Sequence, residues 1–126
     1  MSAPKAHNAA FLALVNDAKS RIQQITIEQY KQMVASSDPH VLIDIREESE
    51  WAEGHAKGAM YLGKGIIERD IETKVPRKDT KLVLYCGGGF RSALSADALR
   101  QMGYTNAISL DGGWRAIQSA GLPLEK

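Results

Sequence analysis

The stretch Leu82-Val83-Leu84-Tyr85-Cys86-Gly87-Gly88-Gly89-Phe90-Arg91-Ser92 decides the reading of this chain. Four apolar, β-favouring residues predict a buried strand, and they run without a spacer into the chain's one cysteine and three consecutive glycines. From Ser92 to Met102 the apolar residues return at helical spacing (Ala93, Ala96, Leu99, with Leu94, Ala98 and Met102), and Gly103 closes the helix. The unit is strand, glycine loop, helix. Open parallel sheets bind ligands beyond the carboxyl ends of their strands, which is where Cys86 falls. Glycines admit backbone angles that turn successive N–H groups toward one point, and the helix that follows adds its free N–H groups and positive dipole end. Such an anion cradle, with the Arg91 guanidinium beside it, favours a reactive thiolate over an inert core thiol.

Working outward, the same alternation recurs. Val41-Leu42-Ile43-Asp44-Ile45 predicts a second buried parallel strand, Glu47 to Glu53 a charged helical turn ended at a left-handed Gly54, and Ala59 to Leu62 a short strand. Ile66 to Ile71 predicts a short helix, Ala107 to Leu110 a strand, Asp111-Gly112-Gly113 a turn, and Trp114 to Ala120 a last helix stopped by Gly121 and Pro123. Upstream, Thr26 with Gln29 forms a capping box for a helix over 27–34. Phe11, Leu14, Val15, Ala18 and Ile22 lie on the stripe of an amphipathic N-terminal helix, read as a docked helix or an oligomer contact. The apolar run from Ala9 to Val15 is too short to span a bilayer, and no clean cleavage site follows it. The fold class is therefore α/β with a mainly parallel sheet.

Composition narrows the function. A chain of 126 residues fits one domain, and a formal net charge of +1 gives no bulk field for a nucleic acid or an anionic membrane. A single cysteine cannot pair within the chain, which suits a reducing, cytoplasmic setting. A dinucleotide fingerprint is the first rival for the loop, with Gly87, Gly89 and Asp111, but Ser92 stands in place of its third glycine. A nucleotide-hydrolase phosphate loop needs Gly-Lys-Ser/Thr, which is absent from the sequence. His7 and His40 show no metal-ligand spacing with each other or with Cys86.

Three segments in order resemble the single-domain rhodanese-type sulfurtransferases. Tyr85 to Ala96 is similar to their C-x-x-G-x-R-S loop and helix. Leu42 to Arg46 with Glu50-Trp51-Ala52-Glu53-Gly54-His55 and Gly58-Ala59 is similar to D-x-R…E-[FYW]-x-x-G-H-x-x-G-A, and Gly103-Tyr104 through Leu110-Asp111-Gly112-Gly113 to Ala120-Gly121-Leu122-Pro123 is similar to the closing segment. One departure is Ile117, where many members carry tryptophan. The resemblance implies a rhodanese-like three-layer α/β/α domain over 24–126, with residues 1–23 as an added helical extension.

It also implies a ping-pong transfer in which Cys86 becomes a persulfide, taking sulfur from thiosulfate or another persulfide and passing it to cyanide, an external thiol or a thioredoxin-like protein. No metal or organic cofactor is implied. Gly87, Gly88, Gly89, Phe90, Arg91 and Ser92 would form the persulfide and anion loop. Arg91 is expected to anchor that loop by pairing with a carboxylate such as Asp44, while Arg46 with Glu47, Glu50 and Glu53 reads as a surface ion-pair cluster. Lys64 and Arg69 are candidates for donor recognition, His55 reads as structural, and the N-terminal helix could pair two copies. Related phosphatases and arsenate reductases carry a loop one residue longer than the C-x-x-x-x-R from Cys86 to Arg91, so sulfur is favoured over a tetrahedral oxyanion. A module without turnover, binding a protein or sensing redox state, is the reading from another class.

Overall fold

The computed structural model describes residues 7–126. Five parallel strands form the main sheet, in the order β1 (Gln23–Ile25), β6 (Ala107–Leu110), β5 (Leu82–Tyr85), β2 (Val41–Asp44), β4 (Met60–Tyr61). A two-stranded antiparallel ribbon, β3 (His55–Ala56) with β7 (Leu124–Glu125), lies apart from it.

Strand β5 shows why the sheet needs helices on both faces. Its four residues are fully buried, and side chains alternate across a strand, so Leu82 and Leu84 enter one core while Val83 and Tyr85 enter the other. The first core includes Ile67 and Ile71 of α4 (Ile67–Lys74) with Ala96 and Leu99 of α5 (Phe90–Gln101). The second includes Tyr30 of α2 (Ile27–Ala35) and Ile117 of α6 (Gly113–Ser119). The result is three layers, α/β/α. Each buried aliphatic side chain contributes roughly 1.5–3 kcal/mol, so the apolar centre of the sheet is its main support. Thr26 caps α2 as predicted, its hydroxyl accepting from Gln29 N–H at 3.1 Å while the Gln29 carboxamide accepts from Thr26 N–H at 2.8 Å.

Helix α1 (Ala9–Lys19) lies against α5, with Val15 and Ala18 buried and Leu14 facing solvent. The remaining helix, α3 (Glu48–Glu53), ends at Gly54, whose φ of 156° is positive, as glycine allows, while its ψ of 144° takes it out of the left-handed helical well. Helix α5 begins at Phe90, two residues earlier than the apolar spacing indicates, because Gly89 at φ 97° turns the chain directly into it.

The connection after β2 leads outward to β4, whereas the connection after β5 leads the other way to β6. Adjacent strands whose connections diverge leave a crevice at their carboxyl ends. Asp44 and Cys86 stand at that edge.

Candidate active site

Cys86 continues the row of Leu82 and Leu84, so its side chain points to the α5 side of the sheet and meets the start of that helix. There Sγ accepts hydrogen bonds from Gly89 N–H at 3.1 Å and Ser92 N–H at 3.4 Å, and lies 3.6 Å from Ser92 Oγ. Ser92 Oγ is in turn 2.8 Å from Ser109 Oγ of β6, and both serines are buried. The N–H groups of Gly87, Gly88, Phe90 and Arg91 bond no acceptor among the described residues. A second charged atom beside Sγ would therefore meet unused donors.

The loop is braced from behind by α6. Trp114 N–H donates to Cys86 C=O at 2.7 Å, and Arg115 N–H donates to Gly87 C=O at 3.2 Å. Gly113 makes this approach possible: its φ is 51°, and a Cβ there would be driven into the Cys86 carbonyl. Gly89, at φ 97°, is less tightly packed, with Gly112 N 3.1 Å from where its Cβ would stand.

Arg91 pairs with Glu50 of α3, at 3.4 Å, and not with the expected Asp44. Burial opposes ionisation of Glu50, yet the Glu47 N–H and the Arg91 guanidinium hold its carboxyl below the usual carboxylate range. Asp44 is taken by Arg46. The Arg46 guanidinium donates to both Asp44 carboxylate oxygens, at 2.7–3.1 Å, and to Gly54 C=O at 2.7 Å. Arg46 is 3% exposed and Asp44 0%, so the expected surface cluster is a buried ion pair. The Arg46 guanidinium carbon lies over the Trp114 ring, 4.5 Å from its centroid.

Lys64 and Arg69 do not line the cleft over Cys86, and Arg69 is paired with Asp70 at 2.7 Å. His55 also lies outside it, its Nδ1 donating to Trp51 C=O at 2.9 Å and its ring stacked on Trp51. The basic side chains at the mouth are Arg91 and Arg115. Glu50, Trp114 and Arg115 line the cleft together with His7, Asn8 and Phe11 of the N-terminal segment. Sequence reasoning did not bring Glu50, Arg115, His7, Asn8 or Phe11 to the cleft, although the apolar stripe of α1 already carried Phe11. No group of three or more His, Cys, Asp or Glu able to hold a metal occurs among the described residues.

Comparison with known proteins gives the family of the chain. A sulfurtransferase of Allochromatium vinosum is 33% identical over 103 residues, covering 82% of this chain and 94% of that protein. A solved thiosulfate sulfurtransferase of Pseudomonas aeruginosa superposes with a TM-score of 0.74 at 30% identity, covering 83% of this chain and 20% of that one. A protein of unknown function from Rhodopseudomonas palustris CGA009, described as a possible tyrosine phosphatase, superposes with a TM-score of 0.82 at 30% identity over 98% of this chain and 100% of its own. The rhodanese-like domain family model matches residues 26–120, and the chain belongs to that family.

Proposed function

We propose that the protein is a sulfurtransferase working through a persulfide on Cys86. The observation that carries this is Sγ held by the Gly89 and Ser92 N–H groups in a loop whose other N–H groups, those of Gly87, Gly88, Phe90 and Arg91, bond no acceptor among the described residues. In the first half-reaction the Cys86 thiolate attacks the outer sulfur of a sulfane donor such as thiosulfate. The S–S bond of the donor breaks, sulfite leaves with the electron pair, and the persulfide anion remains with its outer sulfur facing the free N–H groups. In the second, a nucleophile such as cyanide or a thiol takes that sulfur, and the pair returns to Sγ as thiolate. Neither half needs an oxidant or reductant.

Arg91 supplies the positive field for the donor, while Asp44 acts only through Arg46 and Trp114. The single cysteine leaves release of the sulfur to an external acceptor in the cytoplasm. A second copy of the chain would pair through Leu14, the stripe residue left 57% exposed on α1.

A phosphatase reading has one observation in its favour, the description of the Rhodopseudomonas neighbour. Against it stands the short loop from Cys86 to Arg91. The test is turnover of thiosulfate with cyanide, read as thiocyanate, in wild type and Cys86→Ser, beside hydrolysis of p-nitrophenyl phosphate. Thiocyanate formation lost in Cys86→Ser supports sulfur transfer; phosphate release without thiocyanate overturns it.

A further inference from the structure

The cleft over Cys86 has a wall that the family segment does not supply. His7 and Phe11 precede the matched residues 26–120, yet the His7 ring lies 4.4 Å from the Phe90 ring and 5.1 Å from that of Phe11, with Phe11 6.4 Å from Phe90. Phe90 follows the last loop glycine directly, so the N-terminal segment is clamped onto the loop itself. Val15 and Ala18, buried against α5, hold it there.

Two unlike surfaces then meet over Gly88. A side chain placed on Gly88 would stand 3.5 Å from the Phe90 ring and 3.7 Å from the Arg115 guanidinium. Arg91 is engaged with Glu50, but Arg115 is exposed and has no carboxylate partner among the described residues. The cleft measures about 800 Å3. Thiosulfate, at the share of volume a liquid-water molecule takes per heavy atom, fills roughly 150 Å3. An inorganic anion leaves most of this space, and all of the aromatic wall, unused.

Resting on the Cys86 persulfide reading, we infer that the acceptor is an organic thiol bearing a carboxylate, its apolar body against Phe11 and Phe90 and its carboxylate on Arg115. The thiol loses its proton to solvent, and its sulfur attacks the outer sulfur of the Cys86 persulfide. The bond from that sulfur to Sγ breaks, Sγ keeps the electron pair, and an organic hydropersulfide anion leaves. Burying an apolar body on aromatic rings and pairing its carboxylate with an unengaged guanidinium are separate contributions, so they are separable by experiment.

The experiment uses the whole chain with saturating thiosulfate and follows sulfite release with four acceptors: cyanide, 4-(mercaptomethyl)benzoate, 4-(mercaptomethyl)benzyl alcohol and 3-mercaptopropionate. The benzoate should exceed each of the other two thiols by about tenfold in kcat/KM, the effect of one well-made contact. Phe11→Ala should raise KM for the benzoate and erase its advantage over mercaptopropionate. Arg115→Gln should erase its advantage over the alcohol. Wild type that turns over cyanide but treats the three thiols within about twofold of one another, a difference of less than 0.5 kcal/mol, overturns the inference and leaves sulfur transfer standing. Variants that lose activity equally on all four acceptors overturn it as well, since that loss belongs to the fold. Absence of turnover with cyanide sinks both readings together.

Discussion

Replacing Gly113 by alanine separates the brace behind the loop from the ordinary cost of a left-handed residue. Gly113 and Gly121 both have positive φ, 51° and 72°, but only Gly113 faces a carbonyl at its Cβ position, while the space around Gly121 is open. An L-residue in the left-handed region costs about 1–2 kcal/mol, less the roughly 0.4–1 kcal/mol that alanine returns by restricting the unfolded chain. Those contributions are common to both variants and cancel in their difference. At Gly113 the new methyl must push α6 away from Cys86, which breaks Trp114 N–H to Cys86 C=O and Arg115 N–H to Gly87 C=O. At about 0.5–1.5 kcal/mol for each bond, Gly113→Ala should be about 1–3 kcal/mol less stable than Gly121→Ala. With a urea slope near 2 kcal/mol/M this is a midpoint lower by about 0.5–1.5 M. The same displacement loosens the carbonyls that fix the cradle, so thiosulfate turnover should fall in Gly113→Ala and persist in Gly121→Ala. Equal urea midpoints with equal turnover would refute the brace.

Arg46→Ala should destabilise the protein by about 3–5 kcal/mol in urea or thermal unfolding, because it strands the buried Asp44 carboxylate and the Gly54 carbonyl; a loss under about 1 kcal/mol would return Arg46 to the surface role its sequence neighbours suggest. Thr26→Ala, which removes the capping box of α2, should cost about 0.5–2 kcal/mol and leave sulfur transfer unchanged. Glu50→Gln frees Arg91 from its carboxylate partner, and the account expects a lower KM for the anionic donor with kcat little altered; an unchanged KM would mean that Arg91 does not reach the donor.

The strand-loop-helix unit was legible because three different signals fall in sequence there: a short run of apolar β-formers, a glycine cluster and a helical period. The five-stranded order was not. Strand β1, Gln23-Gln24-Ile25, is a mostly exposed edge strand with too few apolar residues to show a period, and the two-residue strands β3 and β7 are shorter than any period. The misassigned partner of Asp44 has a physical origin. Asp44 and Arg46 are two apart at a strand end, so their side chains leave the same face and close on each other, whereas composition alone cannot tell a buried pair from the exposed charges of α3. Likewise the stripe of α1 announced a docked helix without naming its dock. Its destination depends on Phe90, the first residue of α5, which belongs to neither the stripe of α1 nor the apolar period of α5.

The central claim, that Cys86 carries sulfur as a persulfide, is tested most directly by the intact mass of the protein after brief exposure to thiosulfate and removal of the excess. A persulfide on Cys86 gives a gain of about 32 Da, one sulfur atom, mapped to Cys86 and removed by cyanide. A mass unchanged by every sulfane donor, with Cys86 still open to alkylation, would contradict it.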